Sequence, residues 1–103
     1  GVLWYLEACD LTSLSTLRAL WQMKQANWFV NTKGFIFGRP IRTEECFDLS
    51  QNDAVLAVLE DLGVPIIFGA DIGHVAPMVT LINGSYAKLK VSQGKGTIEM
   101  FCE

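Results

Sequence analysis

The sequence predicts an α/β fold: a β-α-β-α-β unit with parallel strands, followed by antiparallel hairpin strands. Three observations predict it. Three short apolar runs, Gly1–Leu6, Lys33–Gly38 and Pro65–Gly69, lack polar alternation, as suits strands buried on both faces of a parallel sheet. Two segments with apolar residues at helical spacing separate those runs. After Pro77 the pattern switches to period two, as expected for antiparallel strands with one wet face.

Each element has a local reason. Gly1–Leu6 is the first strand. Asp10, Leu11, Thr12 and Ser13 then bring cap residues to a helix start, with Asp10 read as the cap. Leu14, Leu17, Leu20, Trp21 and Met23 or Lys24 mark one stripe of that helix, which ends near Ala26–Trp28. Tyr5 is read as core, and the three tryptophans as core or interface. Lys33–Gly38 is the second strand, and the polar stretch Arg39–Leu49, with Pro40, is a loop. Ser50 and Asp53 form a capping-box pattern ahead of a helix with Val55, Val58, Leu59 and Leu62 on one face. Gly63 and Pro65 stop it, and Pro65–Gly69 is the third strand. Met78–Ile82 and Ser85–Val91 are expected to pair through a type I′ turn at Asn83-Gly84. A second turn at Gln93–Gly96 leads into a last strand, Thr97–Cys102, giving one mixed sheet.

Composition narrows the function. The chain has 103 residues, half of them hydrophobic and 18% charged, which is one domain with a real core and too apolar for disorder. A net charge of −3, with its eight basic residues scattered, argues against a nucleic-acid partner. No apolar run approaches the ~20 residues of a membrane span, and no secretory signal is visible. Cys9, Cys46 and Cys102 are widely spaced, and there is one histidine, so no metal or other cofactor is expected. Three free thiols favour a cytoplasmic location. The chain opens on Gly1 directly inside a strand, which reads as a single domain, residues 1–103, cut from something longer.

In open α/β sheets, ligands gather at the carboxyl ends of the parallel strands. There the sequence places Glu7, Arg39 and the only histidine, His74. A carboxylate beside an imidazole fixes its tautomer and stabilises the imidazolium when the ring takes a proton. A lone histidine after a strand is also commonly a structural hydrogen-bonder. Arg39 has two readings as well: bidentate capture of a substrate carboxylate, or a salt bridge within the loop. No serine lies in a strand-to-helix elbow, so no nucleophile is evident.

Read in order, these segments resemble the C-terminal domain of the LD-carboxypeptidases, which include the murein tetrapeptide carboxypeptidases and the microcin-immunity peptidases. The matching residues are Leu3-Trp4-Tyr5-Leu6-Glu7, Gly34-Phe35-Ile36-Phe37-Gly38-Arg39, Gly73-His74-Val75-Ala76-Pro77 and Thr80-Leu81-Ile82-Asn83-Gly84. The last departs from the family pattern at Ile82 and Asn83. The resemblance implies a swivelling β/β/α domain and a Ser-His-Glu triad, with Glu7 as acid and His74 as base. It implies a serine nucleophile and oxyanion amide on a missing N-terminal domain, and no catalysis by this domain alone. It further implies a cytoplasmic enzyme of cell-wall recycling that needs no metal, often dimerises, and releases D-Ala from a murein tetrapeptide. Two alternatives stand beside it: a non-catalytic interaction module on a similar scaffold, and a microcin-immunity-type peptidase with a different substrate.

Overall fold

The computed structural model describes residues 1–102. Its elements are β1 (Val2–Leu6), α1 (Ser13–Gln25), β2 (Thr32–Gly38), α2 (Gln51–Leu59) running into a 3₁₀ turn (Glu60–Leu62), β3 (Ile66–Ala70), β4 (Tyr86–Ser92) and β5 (Lys95–Phe101). The order β-α-β-α-β and its parallel pairing agree with expectation: β1 and β3 both run parallel to the central strand β2.

Among the described strands, β2 alone is buried over most of its length, from Gly34 to Gly38. β1 and β3 are sheet edges, and β1 leaves Val2 and Tyr5 exposed. Tyr5 is therefore not a core residue. Strand alternation sends Trp4, Leu6, Phe35, Phe37, Ile66 and Phe68 to the helix-covered face, where they pack with Leu20, Phe29, Val55, Val58 and Leu59. An edge-to-face chain of rings from Trp4 through Phe29 to Phe35 runs through this core.

The two helices are fastened by polar bonds as well as apolar contact. Thr16 donates to the Gln51 side-chain oxygen at 2.8 Å in a buried position, and Gln51 donates in turn to the Leu11 carbonyl. Lys24 reaches across to the Val58 carbonyl and to Asp61. This cross-link turns α1 slightly from the expected stripe. Ser13, Thr16 and Leu20 are buried, while Leu14 and Trp21 face outward. The α1 cap is Thr12, whose hydroxyl accepts from the Ser15 amide; Asp10 stays free of that role. Ser50 and Asp53 form the reciprocal capping box that their spacing predicts, and Gly63 ends the helical segment at φ +68°.

The C-terminal third departs from expectation in two ways. Residues Met78–Ile82 form no strand, and Asn83-Gly84 is a plain turn in which only Gly84 has positive φ. The hairpin lies one step later: β4 and β5 pair around Gln93-Gly94, both in the left-handed region that a type I′ turn demands. These strands also make a separate two-stranded sheet rather than extending the parallel one. The hairpin lies across a groove from the uncovered sheet face, with Ile36 and Ile67 on one wall and Leu89 and Ile98 on the other. β4 takes β5 as its ladder partner, and its other edge does not meet the edge of β3, so the two sheets stay separate.

Candidate active site

All three parallel strands finish on one edge, and the loops leaving them build the site. β1 ends one residue before Glu7. β3 ends at Ala70, and residues 71–74 then cross over the end of β2 toward β1. Two glycines permit that crossing. A Cβ on Gly38, at the end of β2, would collide with the Ile72 carbonyl, and a Cβ on Gly73 would collide with the Glu7 carboxylate. Gly73 also holds φ at +102°, a conformation reserved in practice for glycine. Ile72, within the crossing, is buried and anchors it.

The crossing delivers His74 to Glu7. The Nδ1 atom of His74 lies 2.8 Å from Glu7 Oε1, and the His74 backbone N–H donates to Glu7 Oε2 at 3.1 Å. One carboxylate thus grips both ring and main chain of a single residue. The grip orients the imidazole with Nδ1–H toward the acid and leaves Nε2 for another partner. The His74 side chain is 62% exposed, whereas that of Glu7 is 27% exposed. The hydrogen bond that His74 donates to the Glu7 carboxylate, and then the negative charge of Glu7, raise the His74 pKa above its ordinary 6.5; desolvation opposes this and the charge of Asp10 adds to it. Beside the pair, Tyr5, Leu6, Ile72, Val79 and Leu81 line a recess.

Arg39 stands at the end of β2 and braces the same loop. Its Nη2 donates to the carbonyls of Val75 and Pro77 at 3.0 and 2.6 Å and lies 3.2 Å from Asp71. The Asp71 carbonyl in turn accepts from the Val79 amide. Arg39 therefore holds residues 71–79 in the shape that presents His74. Glu44 and Glu45 lie exposed in the β2–α2 loop, Glu44 4.0 Å from Arg42. Trp28 stacks on Trp4 far from this edge, and Trp21 is on the α1 surface. Sequence reasoning brought Glu7 and His74 together but missed Gly38 as the crossing point and Asp71 as the partner of Arg39. The signals were local: a glycine closing a buried strand, and an acid three residues before the histidine. Among the described residues, no group of three His, Cys, Asp or Glu side chains is placed to hold a metal ion, and no helix is long and apolar enough to cross a membrane. Cys9, Cys46 and Cys102 are free thiols.

Comparison with known proteins follows the same lines. The crystal structure of muramoyltetrapeptide carboxypeptidase from Oxalobacter formigenes superposes with a TM-score of 0.82 over 97% of this chain, at 21% identity. The chain spans 36% of that structure's length. No curated protein is matched by the chain. The family model for the LD-carboxypeptidase C-terminal domain matches residues 1–89, which include β1 to β3, Glu7, Arg39 and His74 and stop within β4. With that match over most of its length, the chain belongs to the LD-carboxypeptidase C-terminal domain family.

Proposed function

We propose that this domain supplies the acid and the base of a Ser-His-Glu triad in a cytoplasmic serine LD-carboxypeptidase, and that the nucleophilic serine comes from a second, N-terminal domain. The observation that carries the reading is the double grip of Glu7 on His74, at Nδ1 and at the backbone N–H, with Nε2 turned to an exposed edge. A triad base needs this arrangement: its inner nitrogen bonded to an acid, its outer nitrogen open to the nucleophile.

The reaction then runs as acyl transfer. Nε2 of His74 takes the serine proton as the oxygen attacks the amide carbonyl. Glu7 holds the ring and stabilises the imidazolium. His74 gives the proton to the departing amine, and water, activated by the same nitrogen, resolves the acyl-enzyme. The substrate in this reading is a murein tetrapeptide and the leaving group D-Ala, in cell-wall recycling; the muramoyltetrapeptide in the name of the Oxalobacter neighbour supports the tetrapeptide. Arg39 acts by positioning, because its Nη2 is engaged by the loop that carries His74.

The test is D-Ala release from a tetrapeptide by the protein that joins this domain to its nucleophile domain. Replacing His74 by Ala should lower kcat/KM by at least the ~10²–10⁴-fold that general acid–base catalysis contributes, with the Tm of the protein retained. Full release by the folded His74→Ala protein would overturn the assignment.

A further inference from the structure

We infer that the tip Cys46–Leu49 is a docking element that seats Phe47 in the nucleophile-bearing domain, on the same edge as Glu7 and His74. This inference rests on the triad reading and names the contact that assembles it. Cys46 and Leu49 exchange both backbone hydrogen bonds, each 3.0 Å, and so close a two-residue turn. Phe47 and Asp48 are its central residues, with φ of +52° and +61°. Asparagine and glycine suit such a turn; a phenylalanine there is strained. The strained residue also buries nothing: Phe47 is 90% exposed, the most exposed large apolar side chain described. Neither local propensity nor packing within the domain accounts for a phenylalanine at this point. A contact outside the domain does.

Position and charge say what makes that contact. The tip belongs to the loop leaving the carboxyl end of β2, which Ile41 ties to the Cys9 carbonyl in the loop just after Glu7. Exposed Ile41, Met78 and Val79 lie in the loops of this same edge. A serine can reach His74 Nε2 only if its carrier covers this edge, and the Oxalobacter neighbour has nearly two thirds of its chain beyond the part matched here. Glu44, Glu45 and Asp48 flank Phe47. Its seat is therefore an apolar pocket with a cationic rim.

Two variants test the inference. In the 103-residue chain alone, Phe47→Gly relieves the left-handed strain and should raise the Tm by a few degrees. In the protein that includes the nucleophile domain, the same change should lower kcat/KM for D-Ala release at least about tenfold, the scale of one seated aromatic anchor. Phe47→Leu keeps an apolar side chain and should recover part of that loss. Hydrogen exchange should find the amides of residues 46–49 more protected in the longer protein than in this chain, and Phe47→Gly should remove the difference. Unchanged turnover and unchanged protection in Phe47→Gly would overturn the inference. So would equal protection in the chain alone at high concentration, which would make a second copy the occupant. Failure of the triad reading is separable: it shows as activity retained in His74→Ala, while the exchange difference at residues 46–49 reports docking whatever the chemistry.

Discussion

Replacing Gly73 by Ala should uncouple Glu7 from His74 without touching either residue. Two costs add at this position. At φ +102° any side chain strains the backbone, which costs about 1–3 kcal/mol. The new Cβ would also occupy the place of the Glu7 carboxylate, so Glu7 must swing away. It then loses both the 2.8 Å contact to Nδ1 and the 3.1 Å bond from the His74 amide. In a domain of this size 1 kcal/mol moves the Tm by about 4–8 °C, so the backbone cost alone predicts a fall of about 4–24 °C. Gly63 is the matched control: it has φ +68° and nothing within 4 Å of an added Cβ. Gly63→Ala should therefore cost only the left-handed strain, about 1–2 kcal/mol. The assay is calorimetry with NMR titration of the imidazole, which is unambiguous because the chain has one histidine. Gly73→Ala should bring the His74 pKa down toward its ordinary value, and Gly63→Ala should leave it where it is. If Gly73→Ala titrates like the parent chain, the crossing loop does not depend on a bare Cα, and the steric account of the pair is wrong.

Two further substitutions test the same geometry. Glu7→Gln should lower the His74 pKa, since the hydrogen-bonded negative charge that favours the imidazolium is gone. Because the native pKa is raised, the pair's contribution to stability is fully present below about pH 6.5 and is lost as pH rises through the native value. The Tm gap between parent and Glu7→Gln should narrow over that rise, and a gap that widens would contradict the pairing. In the active protein the acid limb of kcat/KM, set by neutral His74, should move to lower pH in Glu7→Gln. Arg39→Ala should free residues 71–79, speeding hydrogen exchange at the Val79 amide and costing about 1–3 kcal/mol of stability, the range for lost charge-assisted hydrogen bonds. Unchanged exchange at Val79 would show that the loop holds itself.

Much of the domain was legible because its signals are local. A capping box needs two residues three apart, and Ser50 and Asp53 supply it regardless of what surrounds them. Gly63 stops a helix because only the backbone at that point must turn left-handed. The turns of the C-terminal third were harder, since Asn83-Gly84 and Gln93-Gly94 both suit a hairpin, and the choice depends on which flanking strands find partners. The stripe of α1 was displaced for a similar reason: Thr16 is buried by its bond to Gln51, 35 residues away.

The sequence by itself determined the β-α-β-α-β order, the capping box of α2, and the meeting of Glu7, Arg39 and His74 at one sheet edge, since strand ends are one-dimensional facts once the strands are known. Only the tertiary structure decided that Glu7 holds His74 by two atoms, that Arg39 turns inward to brace the loop, and that β4 and β5 stand as their own sheet. β1 and β3 are separated by β2, so the pair forms only because residues 71–74 cross the end of that strand, over Gly38 and beside a glycine at 73. Such a crossing depends on the absence of two Cβ atoms at positions 35 residues apart, and steric room of that kind exists only once the chain has folded around it.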